Sequence, residues 1–307
     1  MGDETSSSYN YSSLGSATNI IQVVIASLTI ILGIGYIILI LIRPTLRHNK
    51  LNWFTINVCL GSIWLSTILL SMTILQLRNL SSSLSCRALT FLVDVGACQL
   101  MYSHCVIAIS RLLTIVYGNK RLFLSNMCLW LCIANGWIVS VLAALPYLFI
   151  DGFLCFNSTS STFLAYYTLI TTLLFPVTIV TVCNIRILLF VRSSTHRVHG
   201  TGTVGGHVSH RRDVQLLKIT IGTFVAFVIG WTPPFSVQLF NVGIYLPNIV
   251  NDCLQIFPLL AMLHDMILLI STNQLVRIFV KKLFVRRPQI AQVDIKHNKH
   301  QPNIPNH

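Results

Sequence analysis

Seven long apolar blocks, separated by short polar segments, divide this chain. They run over residues 19–42, 53–76, 88–113, 125–150, 163–191, 214–240 and 252–280. Each is long enough to cross a bilayer, which takes about 20 predominantly apolar residues. The first block, Asn19 to Ile42, carries no charge and is closed by Arg43-Pro44. The fifth contains Pro176 and the sixth Pro233 and Pro234. Proline is tolerated inside a span because neighbouring helices re-satisfy the freed backbone groups. The pattern predicts an all-α membrane protein, a seven-transmembrane helix bundle over residues 19–285. An N-terminal segment (1–18) precedes it and a disordered tail (286–307) follows.

Composition supports the same class. Of the 307 residues, 54% are hydrophobic and 9% are charged, against about 25% charged in a soluble globular domain. A soluble fold of this size could not wet its surface. Disorder of the bulk is excluded too, because it needs low hydrophobicity and high charge.

The net charge of +13 would by itself raise nucleic acid as a partner, but its distribution argues for a membrane instead. Loops 1–2, 3–4 and 5–6 and the C-terminal end hold nineteen of the basic residues, and loop 2–3 holds the other two, Arg78 and Arg87. Under the positive-inside rule the basic side is cytoplasmic, with the N-terminus outside and the C-terminus inside. Three glycosylation sequons, at Asn10, Asn79 and Asn157, all fall on the expected outer side, as acceptors must. Residues 1–18 lack the basic region of a cleavable signal peptide, so the first span would act as the anchor. A multi-pass protein of the plasma membrane is expected.

Six of the nine cysteines fall inside spans and read as small buried apolar residues. Cys86 and Cys155 both fall on the outer, oxidising side and are expected to pair. The bridge would close a loop of about 69 residues, contributing roughly 4 kcal/mol on the loop-entropy account.

Seven spans with the N-terminus outside and the Cys86 and Cys155 pair resemble the rhodopsin-like (class A) G-protein-coupled receptors. An arginine, Arg111, follows Cys86 by 25 residues, as in that family. Trp137 stands at the central tryptophan of span 4, with Pro146 above it, and Pro176 at the span-5 proline. Phe227 and Gly230-Trp231-Thr232-Pro233 match the span-6 pattern, and Ser271-Thr272-Asn273 stands where span 7 carries its Asn-Pro motif. The departures are specific. Ser110 replaces the acid before the arginine, Leu112 the tyrosine after it, and Ser62 the span-2 aspartate that a sodium site needs. The chain reads as a divergent member.

What the resemblance implies is a receptor that binds an extracellular ligand, a small molecule or short peptide, and activates a heterotrimeric G protein. Arg111 would pair with Asp213 as the inner lock, and Met101, Pro176, Phe227, Trp231, Pro233 and Asn273 would form the activation switch. Polar residues inside spans are the natural ligand contacts, since they are costly there unless used. These are Asp94, Thr168, Thr172, Gln238, His264 and Asp265, with Phe235 beside them. Asp94 and Asp265, facing inward, could hold a cation together or share a proton. Asp94 lies one residue from the family's amine-binding position, Val93. His104 reads as a core histidine. An opsin is excluded because no lysine falls in the middle of span 7. Loop 5–6, rich in glycine, reads as a flexible linker, and its Ser193, Ser194 and Thr195 could be phosphorylated and read by arrestin. No cofactor, metal site or enzymatic activity is expected. The alternative, a transporter or channel, is disfavoured by the odd number of spans and the lack of an inverted repeat.

Overall fold

The computed structural model describes residues 4–48, 51–78, 83–117, 126–149, 162–198, 221–237, 248–272 and 276–277. Among these residues every regular element is helical. The long helices are α1 (Glu4–Ile42), α2 (Leu51–Leu77), α3 (Ser83–Ile115) and α4 (Asn126–Ala144). Helix α5 runs Thr162–Thr168, widens through a π-helical stretch at Leu169–Leu174 and continues over Phe175–Val198. Helix α6 covers Ile221–Val237 and α7 covers Asn248–Thr272. One-turn helices, Pro44–Arg47 and Pro146–Phe149, follow α1 and α4. Six helices are long and apolar enough to cross a membrane, and the described part of α6 is a shorter apolar helix. The seven predicted spans therefore each correspond to one helix.

The helices alternate in direction. The end at which α1, α3, α5 and α7 begin is termed the top. Helix α1 packs on α2 and α7, α2 on α3, and α3 on α4 and α5. Burial makes α3 the axis of the bundle: 78% of an 18-residue apolar stretch of it is buried, against 22% of the corresponding stretch of α4. Apolar side chains drive this less than they would in water, because lipid is as apolar as leucine. Close approach and internal hydrogen bonds must contribute instead. Gly96 supplies the approach between α2 and α3, since a Cβ there would come within 2.9 Å of Trp64 and 3.2 Å of the Leu65 Cβ. Gly230 does the same between α6 and α7, where a Cβ would lie 2.5 Å from that of Ala261 and 2.9 Å from the Phe257 carbonyl oxygen.

A buried polar network ties α2, α3 and α4 together. Asn57 Nδ2 donates to Ser103 Oγ (2.7 Å), while Asn57 Oδ1 accepts from Gln99 Nε2 and from Trp137 Nε1, both at 3.1 Å. Ser140 Oγ donates to Gln99 Oε1 at 3.2 Å. Trp137, singled out in the sequence by its position in span 4, is thereby a cross-bundle donor. Two apolar clusters fill the rest. The larger joins Leu65, Leu100, Met101, Val180, Phe227, Trp231 and Met262. The smaller, at the bottom, joins Tyr36, Ile40, Cys59 and Met266 with Val276, which follows α7.

Candidate functional site

Near the top of the bundle a cavity of about 110 Å³ opens between α2, α3, α5, α6 and α7. Its floor is Trp231. Phe227, Trp231 and Phe235 are spaced four residues apart, so they share one face of α6. They form a ladder with ring centroids 5.4 and 5.6 Å apart. The indole Nε1 of Trp231 is buried with no hydrogen-bond partner among the described residues. The wall from α3 carries Thr90 and Asp94, and α7 contributes Gln255 and Pro258. A proline inside α7 cannot donate to the carbonyl of Leu254, so that oxygen is freed at the cavity level.

Asp94 is the one charged group among the lining residues. Its Oδ2 accepts from the Cys98 thiol at 3.8 Å, and that sulfur lies 3.3 Å from Thr172 Oγ1. The chain Asp94–Cys98–Thr172 thus links α3 to α5 just behind the cavity wall. Thr168 lines the cavity and is hydrogen-bonded to Tyr147, which stands on the one-turn helix after α4. Thr168 Oγ1 also donates to the Leu164 carbonyl at 2.7 Å. The π-helical stretch between Thr168 and Pro176 sits where α5 meets α3. There Tyr102 Oη donates to the Thr171 carbonyl (3.2 Å) and the Cys105 thiol to that of Pro176 (3.7 Å).

Of the residues the sequence suggested for the pocket, Asp94, Thr168 and Phe235 line the cavity, and Thr172 lies one contact behind it. Two others do not join them. His264 is exposed on the outside of α7, and Asp265 is fully buried but lower. Its contact is His104, at 3.6 Å, and His104 in turn packs on Phe227, one helical turn below Trp231. Asp94 and Asp265 therefore have separate partners, in place of the shared site their sequence positions suggested. Successive residues of a helix are 100° apart, so His264 and Asp265 cannot face the same neighbour. Met101, Phe227 and Trp231 meet in the main core cluster, and Pro176 is buried beside it. Pro233 is half-buried, and Arg111 is half-buried near the bottom of α3. Asn79, Cys155, Asn157, Asp213, Gln238 and Asn273 lie outside the described residues, as do the side chains of Asn10 and Cys86. Thr90, Tyr147, Gln255 and Pro258 were not singled out in the sequence. Gln255 gave a readable signal, a polar side chain within an apolar block.

A bundle of apolar helices with a cavity at one end that draws on five of them is the architecture of a multi-span membrane protein. Residues 33–267 match the model of the 7 transmembrane receptor (rhodopsin family), and the chain belongs to that family. It is similar to melatonin receptor type 1C of Gallus gallus, with 23% identity over 232 residues. The match covers 71% of this chain and 66% of that relative, just under two thirds of its length. The matched family region ends before Asn273, the residue placed at the span-7 motif.

Proposed function

We propose that this receptor takes a small extracellular ligand in the cavity above Trp231 and activates a heterotrimeric G protein at the opposite end. The observation that carries the reading is the cavity itself. It touches α2, α3, α5, α6 and α7 at once, and its floor is an indole whose N–H is unmatched. A ligand can shift a receptor only by binding one conformation better than another. An acceptor group meeting Trp231 Nε1 would supply such a difference. The aromatic ladder would carry it down α6, with Pro233 as the bend that enlarges a small rotation. Asp94, Thr168 and Gln255 would orient the ligand, with Thr172 acting through Cys98.

In this reading the top of the bundle faces outside and the bottom faces the cytoplasm of a plasma-membrane receptor, an orientation that the distribution of Lys and Arg supports. Asn10, Asn79 and Asn157 would carry glycans, and a Cys86–Cys155 bridge would hold loop 4–5 over the cavity. The inner lock would be Arg111 with Asp213, and arrestin would read loop 5–6.

The relation to a melatonin receptor makes melatonin the first compound to apply, followed by a panel of small aromatic ligands. In cells carrying a promiscuous G protein, an active compound should signal through the native chain. Arg111→Ala should abolish that signal while leaving binding of the labelled compound in place. A signal that persisted in Arg111→Ala at native strength would remove the proposed coupling site. Ion or solute flux through purified chain in vesicles, with no G-protein response, would favour a transporter instead.

A further inference from the structure

Beside the lowest rung of the aromatic ladder, three helices present buried polar atoms that meet no hydrogen-bond partner among the described residues. They are His104 Nε2 on α3, both carboxylate oxygens of Asp265 on α7, and Ser62 Oγ on α2. His104 Nε2 and Asp265 Oδ2 are 3.6 Å apart, beyond the range of a hydrogen bond. Ser62 comes to the same level. Ser66 on α2 meets Met262 on α7 at 3.9 Å. The two helices run in opposite directions, so Ser62, one turn lower on α2, falls level with Asp265 and Met266. Buried polar groups are normally paired, and each one left unmet calls for an explanation.

The His104–Asp265 pair bridges two helices whose main packing partners lie elsewhere: α7 packs on α1 and α2, and α3 on α2, α4 and α5. His104 also carries Phe227 of α6, with ring centroids 6.2 Å apart, and Phe227 stacks under Trp231, the cavity floor. Next to Asp265, Met266 belongs to the small bottom cluster, where Cys59 of α2 is fully buried. The closed arrangement is therefore dry and under-satisfied. Parting α3 from α7 lets water reach these atoms, and a water-mediated bond is nearly as good as a direct one. Hydration thus offsets the lost contact. A packed element with two such arrangements switches between them in response to a small displacement at its edge.

We propose that His104 and Asp265 form a latch between α3 and α7, closed and dry in the ligand-free chain and opened by hydration when Phe227 moves off His104. The trigger, though not the latch, rests on the reading of the cavity above Trp231 as the ligand site. A rotation of α6 there moves the whole ladder, and its last ring is the one packed on His104. The latch is separate from the Arg111–Asp213 pair, since it restrains α7 where that pair would restrain α6. Opening frees the lower half of α7 and uncovers Cys59, which Met266 helps to bury.

The test uses the purified full-length chain and two conservative variants, His104→Gln and Asp265→Asn, each held well below its melting temperature. The probe is N-ethylmaleimide, and the modified cysteines are located by peptide mass. Cys59 should be labelled about tenfold faster in both variants than in the native chain, because local opening sets the rate at a buried group. Cys98, fully buried where α3 meets α5, should keep its native rate. Equal Cys59 rates in the native chain and both variants overturn the proposal. So does a matching rise at Cys98, which would be general loosening of the bundle. In cells carrying a promiscuous G protein, the same variants should raise ligand-free signalling about threefold at matched surface amount, a modest shift between two states. Faster labelling of Cys59 alone, without that rise, supports the latch and counts instead against the proposed G-protein coupling.

Discussion

His104 Nε2 on α3 lies 3.6 Å from Asp265 Oδ2 on α7, and both side chains are buried. Neither carboxylate oxygen of Asp265 has a hydrogen-bond partner among the described residues. The pair sits against Phe227, with ring centroids of His104 and Phe227 6.2 Å apart. Removing one member of a buried pair strands the other, which typically costs about 3–5 kcal/mol, whereas replacing both with apolar residues is often neutral. His104→Leu alone and Asp265→Leu alone should each therefore lower the thermal stability of purified receptor. The double variant should recover most of the loss. A double variant that melts at the sum of the two single losses would show that the two residues act independently.

Gly230 gives a prediction with a graded outcome. Gly230→Ala places a methyl 2.5 Å from the Ala261 Cβ and 2.9 Å from the Phe257 carbonyl oxygen. Overpacking of this kind costs about 1–3 kcal/mol. Ala261→Gly removes the first clash and leaves the second, which is backbone. The pair Gly230→Ala/Ala261→Gly should therefore melt between the single Gly230→Ala variant and the native chain. Full restoration would mean that the Phe257 carbonyl does not limit the approach of α6 to α7.

The polar network predicts an order of severity. Asn57 accepts from Gln99 and Trp137 and donates to Ser103. Asn57→Leu strands the Trp137 indole N–H, a buried unsatisfied group costing about 1–3 kcal/mol, and takes one bond each from Gln99 and Ser103, which keep their bonds to each other. Trp137→Phe removes one donor and leaves the Asn57 oxygen with its bond from Gln99. Thermal melts should therefore rank Asn57→Leu well below Trp137→Phe. Equal losses would mean that the indole contributes packing alone.

Much of this fold could be read along the chain, because a span needs a long, predominantly apolar block, and a charge or proline closes most of the seven. Trp231 and Phe235 were readable through the span-6 pattern, and Asp94 and Thr168 as polar residues within a span. The facing of those residues was harder to read. Hydropathy fixes that a residue lies in a span but carries no azimuth where the block is apolar all round. So adjacent His264 and Asp265 looked equivalent, although one is exposed and the other fully buried. Contacts between distant segments were also hidden. Cys98 is one turn from Asp94 and could be guessed as its neighbour, but its contact with Thr172 on α5 depends on how α3 and α5 are packed. Gly230 was visible as part of a motif, while its role as a point of close approach needs Ala261 from α7.

Filling the cavity separates ligand binding from the integrity of the fold. Ala97 lines the cavity from α3, one turn below Val93, and is 2% exposed. Ala97 borders the cavity, so a larger apolar side chain at this position would extend into it. Buried volume filled by hydrocarbon adds contacts that the empty cavity lacks. Ala97→Leu should therefore leave the melting temperature of ligand-free receptor unchanged or raised. The same substitution removes room a ligand would need above Trp231. The potency of any agonist acting through this cavity should fall by at least about tenfold, equivalent to ~1.4 kcal/mol. An agonist whose potency is untouched in Ala97→Leu binds elsewhere on the receptor. A lowered melting temperature would instead mean that the α3 wall has no spare volume at this position.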